Sequence, residues 1–275
     1  MPGTLYIVAT PIGNLGDITL RALDTLRQVD FIAAEDTRVT LRLLNHFEIR
    51  KPLVSYYEQN SVESGEKILS RLLAGESCAL VSDAGTPAIS DPGRALVSLC
   101  AENGVEVFSL PGACAAISAV ALSGLDVARF CFEGFLSTAK RTRRERLGEL
   151  SQERRAIVIY EAPHKLRATL DDLCECFGEE RRCAVCRELT KLHEQTLRTT
   201  LGQARKYFAE NEPRGEFVLV ISGSDGGGDK PTLEQALALA RSYREDGLSA
   251  SEAARRAAGD TGLPRGAIYR ELVRE

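Results

Sequence analysis

Short apolar runs alternate with amphipathic stretches along the first 120 residues. Residues 5–9, 31–34, 53–56, 78–81 and 105–108 read as strands. Between them, apolar positions recur at helical spacing over residues 20–29, 37–47, 62–73 and 94–102. Alternation at this spacing predicts βαβ units and a largely parallel sheet with both faces covered. The connections are short except at residues 10–19 and 82–93. In a compact α/β domain, loops of that length are where ligands bind.

After Pro111-Gly112 comes a helix of small residues, 113–122, and a domain boundary is expected near residue 120. A second α/β unit follows, with strands at 130–135, 156–160, 183–187 and 217–222 and helices near 140–152, 163–177 and 200–210. Residues 222–230, rich in Gly, Ser and Asp, read as a flexible linker. Beyond it, Thr232-Leu-Glu-Gln235 and Ser249-Ala-Ser-Glu252 are capping boxes, each opening an Ala/Leu-rich helix. Gly247 and residues 259–262 are expected to end those helices, and Pro264 to open a third at N1 or N2. The expected division is therefore 1–120, 121–225 and a linker with a helical tail at 226–275. The tail reads equally as a helix-turn-helix-like module or as a helical cap.

Composition narrows the class. No apolar run approaches the roughly 18 residues that span a bilayer, so no membrane partner is expected. Met1-Pro2-Gly3-Thr4-Leu5 runs straight into a strand without a basic stretch, which predicts no secretory signal. The eight cysteines then belong to a reducing, cytoplasmic compartment as free thiols. Net charge is −4, but residues 1–120 hold 9 basic and 14 acidic side chains, whereas residues 138–167 hold nine basic and four acidic ones. That asymmetry makes an anionic partner worth pursuing.

Three loops carry the chemistry. Thr10-Pro11-Ile12-Gly13-Asn14-Leu15-Gly16-Asp17 follows the first strand and precedes a helix, so its amides can approach a ligand. It lacks the G-x-G-x-x-G of a dinucleotide fold, which counts against a nicotinamide-dependent rival even though Glu35 and Asp36 close the next strand. Ser82-Asp83-Ala84-Gly85-Thr86-Pro87-Ala88-Ile89-Ser90-Asp91-Pro92-Gly93 sets Asp83 at a buried strand's tip, facing the crevice where such folds bind ligands. Pro111-Gly112-Ala113-Cys114-Ala115-Ala116 again exposes backbone behind small side chains.

Together with Ala34-Glu35-Asp36-Thr37-Arg38 and Tyr160-Glu161-Ala162-Pro163-His164-Lys165-Leu166, these motifs resemble the tetrapyrrole methylase superfamily. Within it they resemble the branch of type I small-subunit ribosomal RNA methyltransferases, in order from residue 4 to about 222. The resemblance implies S-adenosylmethionine bound in a cleft between two α/β domains of tetrapyrrole-methylase type. It also implies methylation of a cytidine ribose 2′-hydroxyl in the decoding region of 16S ribosomal RNA, free or in the small subunit, by a homodimer. The implied cofactor contacts fall on Pro11, Asp83, Gly85, Thr86, Ser90, Cys114, Ala115, Tyr160 and Val218. Cys114 stands where relatives commonly have serine, and a thiol is the weaker donor.

A ribose hydroxyl needs a base or an electrostatic stabiliser. Asp36, Glu161, His164 and Lys165 are the candidates; in the plainer reading Asp36 caps a helix, and Glu161 pairs with Lys165. Lys140, Arg141, Arg143, Arg144 and Arg146 place five basic residues in seven, the expected phosphate track, with Arg38 a further RNA contact. Cys174-x-Cys176 and Cys183-x-x-Cys186 do not converge on a metal if they lie on a helix and a strand, so no metal is expected. The rival readings are a methyltransferase of the same fold acting on a tetrapyrrole or other small metabolite, and a non-catalytic RNA-binding assembly factor.

Overall fold

Residues 1–224, 232–245 and 247–274 are described by the computed structural model. Its first sheet has the order β3-β2-β4-β1-β5, built from β1 (Thr4–Val8), β2 (Phe31–Ala34), β3 (Leu53–Ser55), β4 (Cys78–Val81) and β5 (Glu106–Leu110). All four pairings are parallel. β2 and β4 are buried along their whole length, which is why they read as unbroken apolar runs.

The pleat sorts these residues by parity. Phe31, Ala33, Cys78 and Leu80 pack on one face with Ile68 and Leu72 of α3 (Ser61–Leu73) and Leu96 and Cys100 of α4 (Arg94–Glu102). Ile32, Ala34, Ala79 and Val81 pack on the other with Leu23 and Leu26 of α1 (Leu20–Gln28) and Leu44 of α2 (Thr37–His46). Neighbouring strands β1 and β4 thus send their following helices to opposite faces. That divergence opens a crevice at their carboxyl ends, where open α/β sheets bind ligands.

The second sheet, order β6-β7-β10-β8-β9, is mixed. β6 (Phe130–Phe135) and β7 (Ala156–Glu161) are parallel and joined by α6 (Lys140–Ser151). The pairings of β7 and β8 (Arg182–Arg187) with β10 (Phe217–Ile221), and of β8 with β9 (Gln195–Thr200), are antiparallel. Sequence reading missed β9: QTLRTT has one aliphatic residue, because an edge strand needs no apolar alternation when one neighbour supplies its ladder. One face carries α7 (Pro163–Phe177) and α8 (Leu201–Glu210), through Leu166, Leu170, Leu173 and Leu201 against Ile157, Ile159, Leu219 and Ile221. The other takes α5 (Ala115–Leu122), the helix that follows the last strand of the first sheet. Its Ala116, Ala119 and Val120 pack on Val158, Ala184, Val218 and Val220.

Chain contacts define two compact units, one of residues 1–151 and 155–222, the other of residues 152–154 and 223–275. The second unit contains α9 (Leu233–Glu245), α10 (Ala250–Thr261) and α11 (Arg265–Arg274) around Ala236, Ala240, Ala253, Ala257, Ile268 and Leu272. Both capping boxes form: Thr232 with Gln235, and Ser249 with Glu252. Pro264 lies just before α11 and accepts from Ala267 N at 2.9 Å. Most of the expected linker, residues 225–230, lies outside the described residues. Among the described residues no helix is long and apolar enough to cross a membrane.

A bulge in β6 carries the second sheet up to the loop after β4. The register shifts between Phe132 and Gly134, Gly134 has φ +62°, and a Cβ there would sit 2.6 Å from Ser90 Oγ. Gly134→Ala is therefore expected to cost about 1–3 kcal/mol, read as a lowered urea midpoint, through left-handed strain and displacement of that loop. An unchanged midpoint would show that the bulge relaxes freely.

Candidate active site

The carboxyl ends of β1, β4 and β5 and the end of β7 surround one cavity of about 500 Å³. Gly85, Thr86, Ser90, Asp91, Cys114, Ala115, Phe135, Tyr160, Glu161, His164 and Val218 line it. Its floor is tied together by backbone. Thr10 and Gly85 exchange N–H···O bonds of 2.9 and 3.0 Å, and the Thr86 hydroxyl donates to Ala113 O at 3.0 Å. Gly112 is required there, since a Cβ would lie 2.7 Å from that of Ala9. Ala88 and Ser90 hold φ of +68° and +64°, so the loop after β4 stores strain beside the cavity.

Tyr160 closes the cavity from the second sheet. Its ring meets Phe132 and Phe135 edge-on, and its hydroxyl oxygen accepts from Ala116 N at 3.0 Å. That bond serves the N-terminus of α5, which Cys114 leaves without a side-chain cap. Burial pushes the Tyr160 hydroxyl up to about 12, so it keeps its proton.

Four carboxylates gather at the ends of β2 and β4. Asp36 N donates to Asp83 Oδ1 at 3.0 Å, and Asp83 N to Glu35 Oε2 at 3.4 Å. Asp36 caps α2 and is forked by Arg38 at 3.0 and 2.6 Å; the guanidinium holds its carboxyl down to about 2. Burial raises Glu35 and Asp83. It raises Asp91 further, to about 6, helped by the charge of Glu35.

The sequence candidates therefore separate. Gly85, Thr86, Ser90, Cys114, Ala115, Tyr160, Val218, Glu161 and His164 meet at the cavity. Pro11 and Asp83 border a different hollow of about 360 Å³, with Arg42 and His46. Asp36 is held as a helix cap, and Lys165 is absent from the cavity lining. Glu161 does not pair with Lys165: it is buried and accepts from Ala162 N at 2.9 Å and from the Thr169 hydroxyl at 2.5 Å. His164, exposed at the first turn of α7, makes no side-chain hydrogen bond among the described residues. Asp91 and Phe135 also line the cavity and are not among the sequence candidates, although Asp91 is the second acid of the segment 82–93.

The basic run on α6 is not a uniform track. Arg143 is turned inward, its side chain 14% exposed, onto Asp172 at 2.6 Å and Thr169 at 2.8 Å. Arg146 forks onto Glu133 and pairs with Glu149, and Arg141 pairs with Glu145. Lys140 and Arg144 are exposed and carry no ion pair among the described residues. Arg143 faces inward because it lies one helical turn before Leu147, on the buried side. The thiols of Cys183 and Cys186 join the cores on opposite faces of β8, as alternation requires.

A two-sheet fold with its cleft at these strand ends defines a class. The family model for Tetrapyrrole (Corrin/Porphyrin) Methylases matches residues 4–205. The chain is 53% identical over 269 residues to "Ribosomal RNA small subunit methyltransferase I" of Synechocystis, covering 97% of this chain and 96% of that protein. It is 49% identical to the protein of the same name from Thermotoga maritima, where 81% of this chain covers 100% of that protein, so the remaining fifth has no counterpart there. In fold it is similar to the uroporphyrin-III C-methyl transferase of Thermus thermophilus complexed with S-adenyl homocysteine. That likeness has a TM-score of 0.55 at 16% identity, over 80% of this chain and 97% of that one. The chain belongs to the tetrapyrrole methylase family, in its ribosomal RNA small subunit methyltransferase I branch.

Asp91 gives a pH test. Between the ordinary carboxylate value of 3.8 and about 6, the folded chain holds a proton that the unfolded chain has lost. This contribution to stability is therefore present at low pH and is lost as pH rises through 6. Carbon-detected NMR should find the Asp91 carboxyl titrating near 6, and lower in Glu35→Gln, which removes the like charge but not the burial. An unmoved midpoint would exclude coupling between the two.

Proposed function

We propose that this chain transfers a methyl group from S-adenosylmethionine to the ribose 2′-hydroxyl of a cytidine in the decoding region of 16S ribosomal RNA. What carries the reading is similarity over 97% of the chain to proteins named for methylation of small-subunit ribosomal RNA. The cavity's chemistry fits the cofactor. Ile12, Ala115, Phe135 and Val218 offer an apolar wall for a flat base, and the first turn of α5 and the loop after β4 offer backbone groups for a zwitterionic tail. Its volume is typical of small-ligand sites. We assign cofactor contacts to Gly85, Thr86, Ser90, Cys114, Ala115, Tyr160 and Val218; Pro11 and Asp83 support the loops from the neighbouring hollow.

When bound, the cofactor supplies a methyl activated on a cationic sulfur. The protein's work is to orient the acceptor in line with it and exclude water. Of the four candidate bases, His164 fits best, lining the cavity without an internal partner for its imidazole. Asp36 is ion-paired by Arg38, both oxygens of Glu161 accept internal hydrogen bonds, and Lys165 does not line the cavity. Lys140, Arg141 and Arg144 remain the RNA-facing cations we assign to α6. The reading goes with a cytoplasmic homodimer and with domain limits near residues 120 and 225.

The test is transfer from labelled cofactor to small ribosomal subunits and to free 16S RNA, with the product nucleotide mapped. The expected product is a single 2′-O-methylcytidine. His164→Ala should lower kcat about 10²–10⁴-fold while cofactor affinity holds. Ala115→Phe, filling the cavity, should weaken cofactor binding at least tenfold in calorimetry. Transfer to a tetrapyrrole but not to RNA would overturn the reading.

A further inference from the structure

A second cavity, of about 560 Å³, adjoins the first and shares Ser90 and Asp91 with it. It lies between the chain after β3 and the first turn of α4, and its wall chemistry differs from that of the cofactor cavity. Three carboxylic residues, Glu35, Glu58 and Asp91, are part of its lining. Tyr57, whose N donates to Asn60 Oδ1 at 2.8 Å and which is 40% exposed, adds an aromatic ring to the lining. Gln59 adds an amide, and exposed Arg94, which has no ion pair among the described residues, stands on the rim. No set of three or more ligating side chains for a metal occurs among the described residues, so the carboxylates do not read as a cation cage.

Such a lining offers acceptors for hydrogen bonds, a ring to stack on and a cation for an anionic group. A nucleotide with an exocyclic amine has the matching profile: an N–H₂ edge, a π-face and a phosphate. Position agrees with chemistry, because a base held here leaves its ribose at the wall formed by Ser90 and Asp91, beside the cofactor cavity. We propose that this cavity receives the cytosine of the acceptor nucleotide, swung out of the RNA, with Glu35 accepting from its exocyclic amine and Tyr57 stacking on it. The inference rests on the functional reading above and adds the source of its base specificity. Uracil has a carbonyl oxygen where cytosine has its amine, so at that position it sets an acceptor against the Glu35 carboxylate and is disfavoured. Enzymes that do chemistry on a base hold it in a pocket of this kind; here the reacting group is the ribose and the pocket would read the base attached to it.

The experiment compares small subunits carrying cytidine or uridine at the modified position, with labelled cofactor. The parent should prefer cytidine by about a hundredfold or more in kcat/KM. Glu35→Gln, whose amide can also donate, should reduce that preference at least about tenfold while cofactor affinity in calorimetry stays within about twofold. Tyr57→Ala, at an exposed ring that the fold does not need, should lower kcat/KM for cytidine about tenfold and leave cofactor affinity alone. A preference unchanged in Glu35→Gln, or full activity in Tyr57→Ala, overturns the proposal. Cofactor affinity lost in step with activity in Glu35→Gln also overturns it, by moving that carboxylate into the cofactor site. A parent that methylates neither substrate removes the functional reading itself, and this inference with it.

Discussion

Everything at the site depends on the seat of α5 against the second sheet. The helix leaves the first sheet after β5, yet its Ala116, Ala119 and Val120 are buried on Val158, Ala184, Val218 and Val220. Small side chains let its backbone come close to the strands. The contact is almost wholly apolar, so burial of that surface holds the two sheets in register. One polar bond fixes the near end, the Tyr160 oxygen accepting from Ala116 N. Because the same helix terminus faces the cavity, the packing that joins the sheets also sets the geometry of the cleft.

The loop after β4 is the second constraint, and it works through strain. It is clamped by the Thr10–Gly85 bridge, tied by Thr86 to Ala113, and limited by the bulge at Gly134. Two non-glycine residues in left-handed conformation persist because their surroundings allow little else. The result is a thin wall with a cavity on either side. Its polar residues, Ser90 and Asp91, face both. Charge is organised by the same wall: arginine quenches Asp36, while Glu35, Asp83 and Asp91 stay partly desolvated and close to one another.

The helical tail is a separate matter. It has its own alanine-rich core and its own caps. A relative bearing the same name is covered in full by four-fifths of this chain. The chemistry described above uses residues of the larger unit alone.

The sequence by itself determined the elements whose cause is local. The period of apolar residues gave β1, β2 and β4 and helices α1 to α4, and capping boxes gave the starts of α9 and α10. Strand-end placement of the loops after β1, β4 and β5 is itself enough to point to the cleft. It also limited Cys183 and Cys186 to opposite faces, since alternation along a strand is a property of the backbone. Tertiary structure decided what depends on distant partners. Edge strand β9 exists because β8 supplies its ladder, not because QTLRTT favours it. Arg143 left the expected phosphate track because Asp172 and Thr169, on another helix, satisfy its guanidinium. Asp83 and Asp91 both end in the same loop, and only the folding of that loop against Gly134 put Asp91 on the cavity and Asp83 beyond it. Local pattern fixes which residues are near one another along an element; which of them share a cleft follows from how the elements pack.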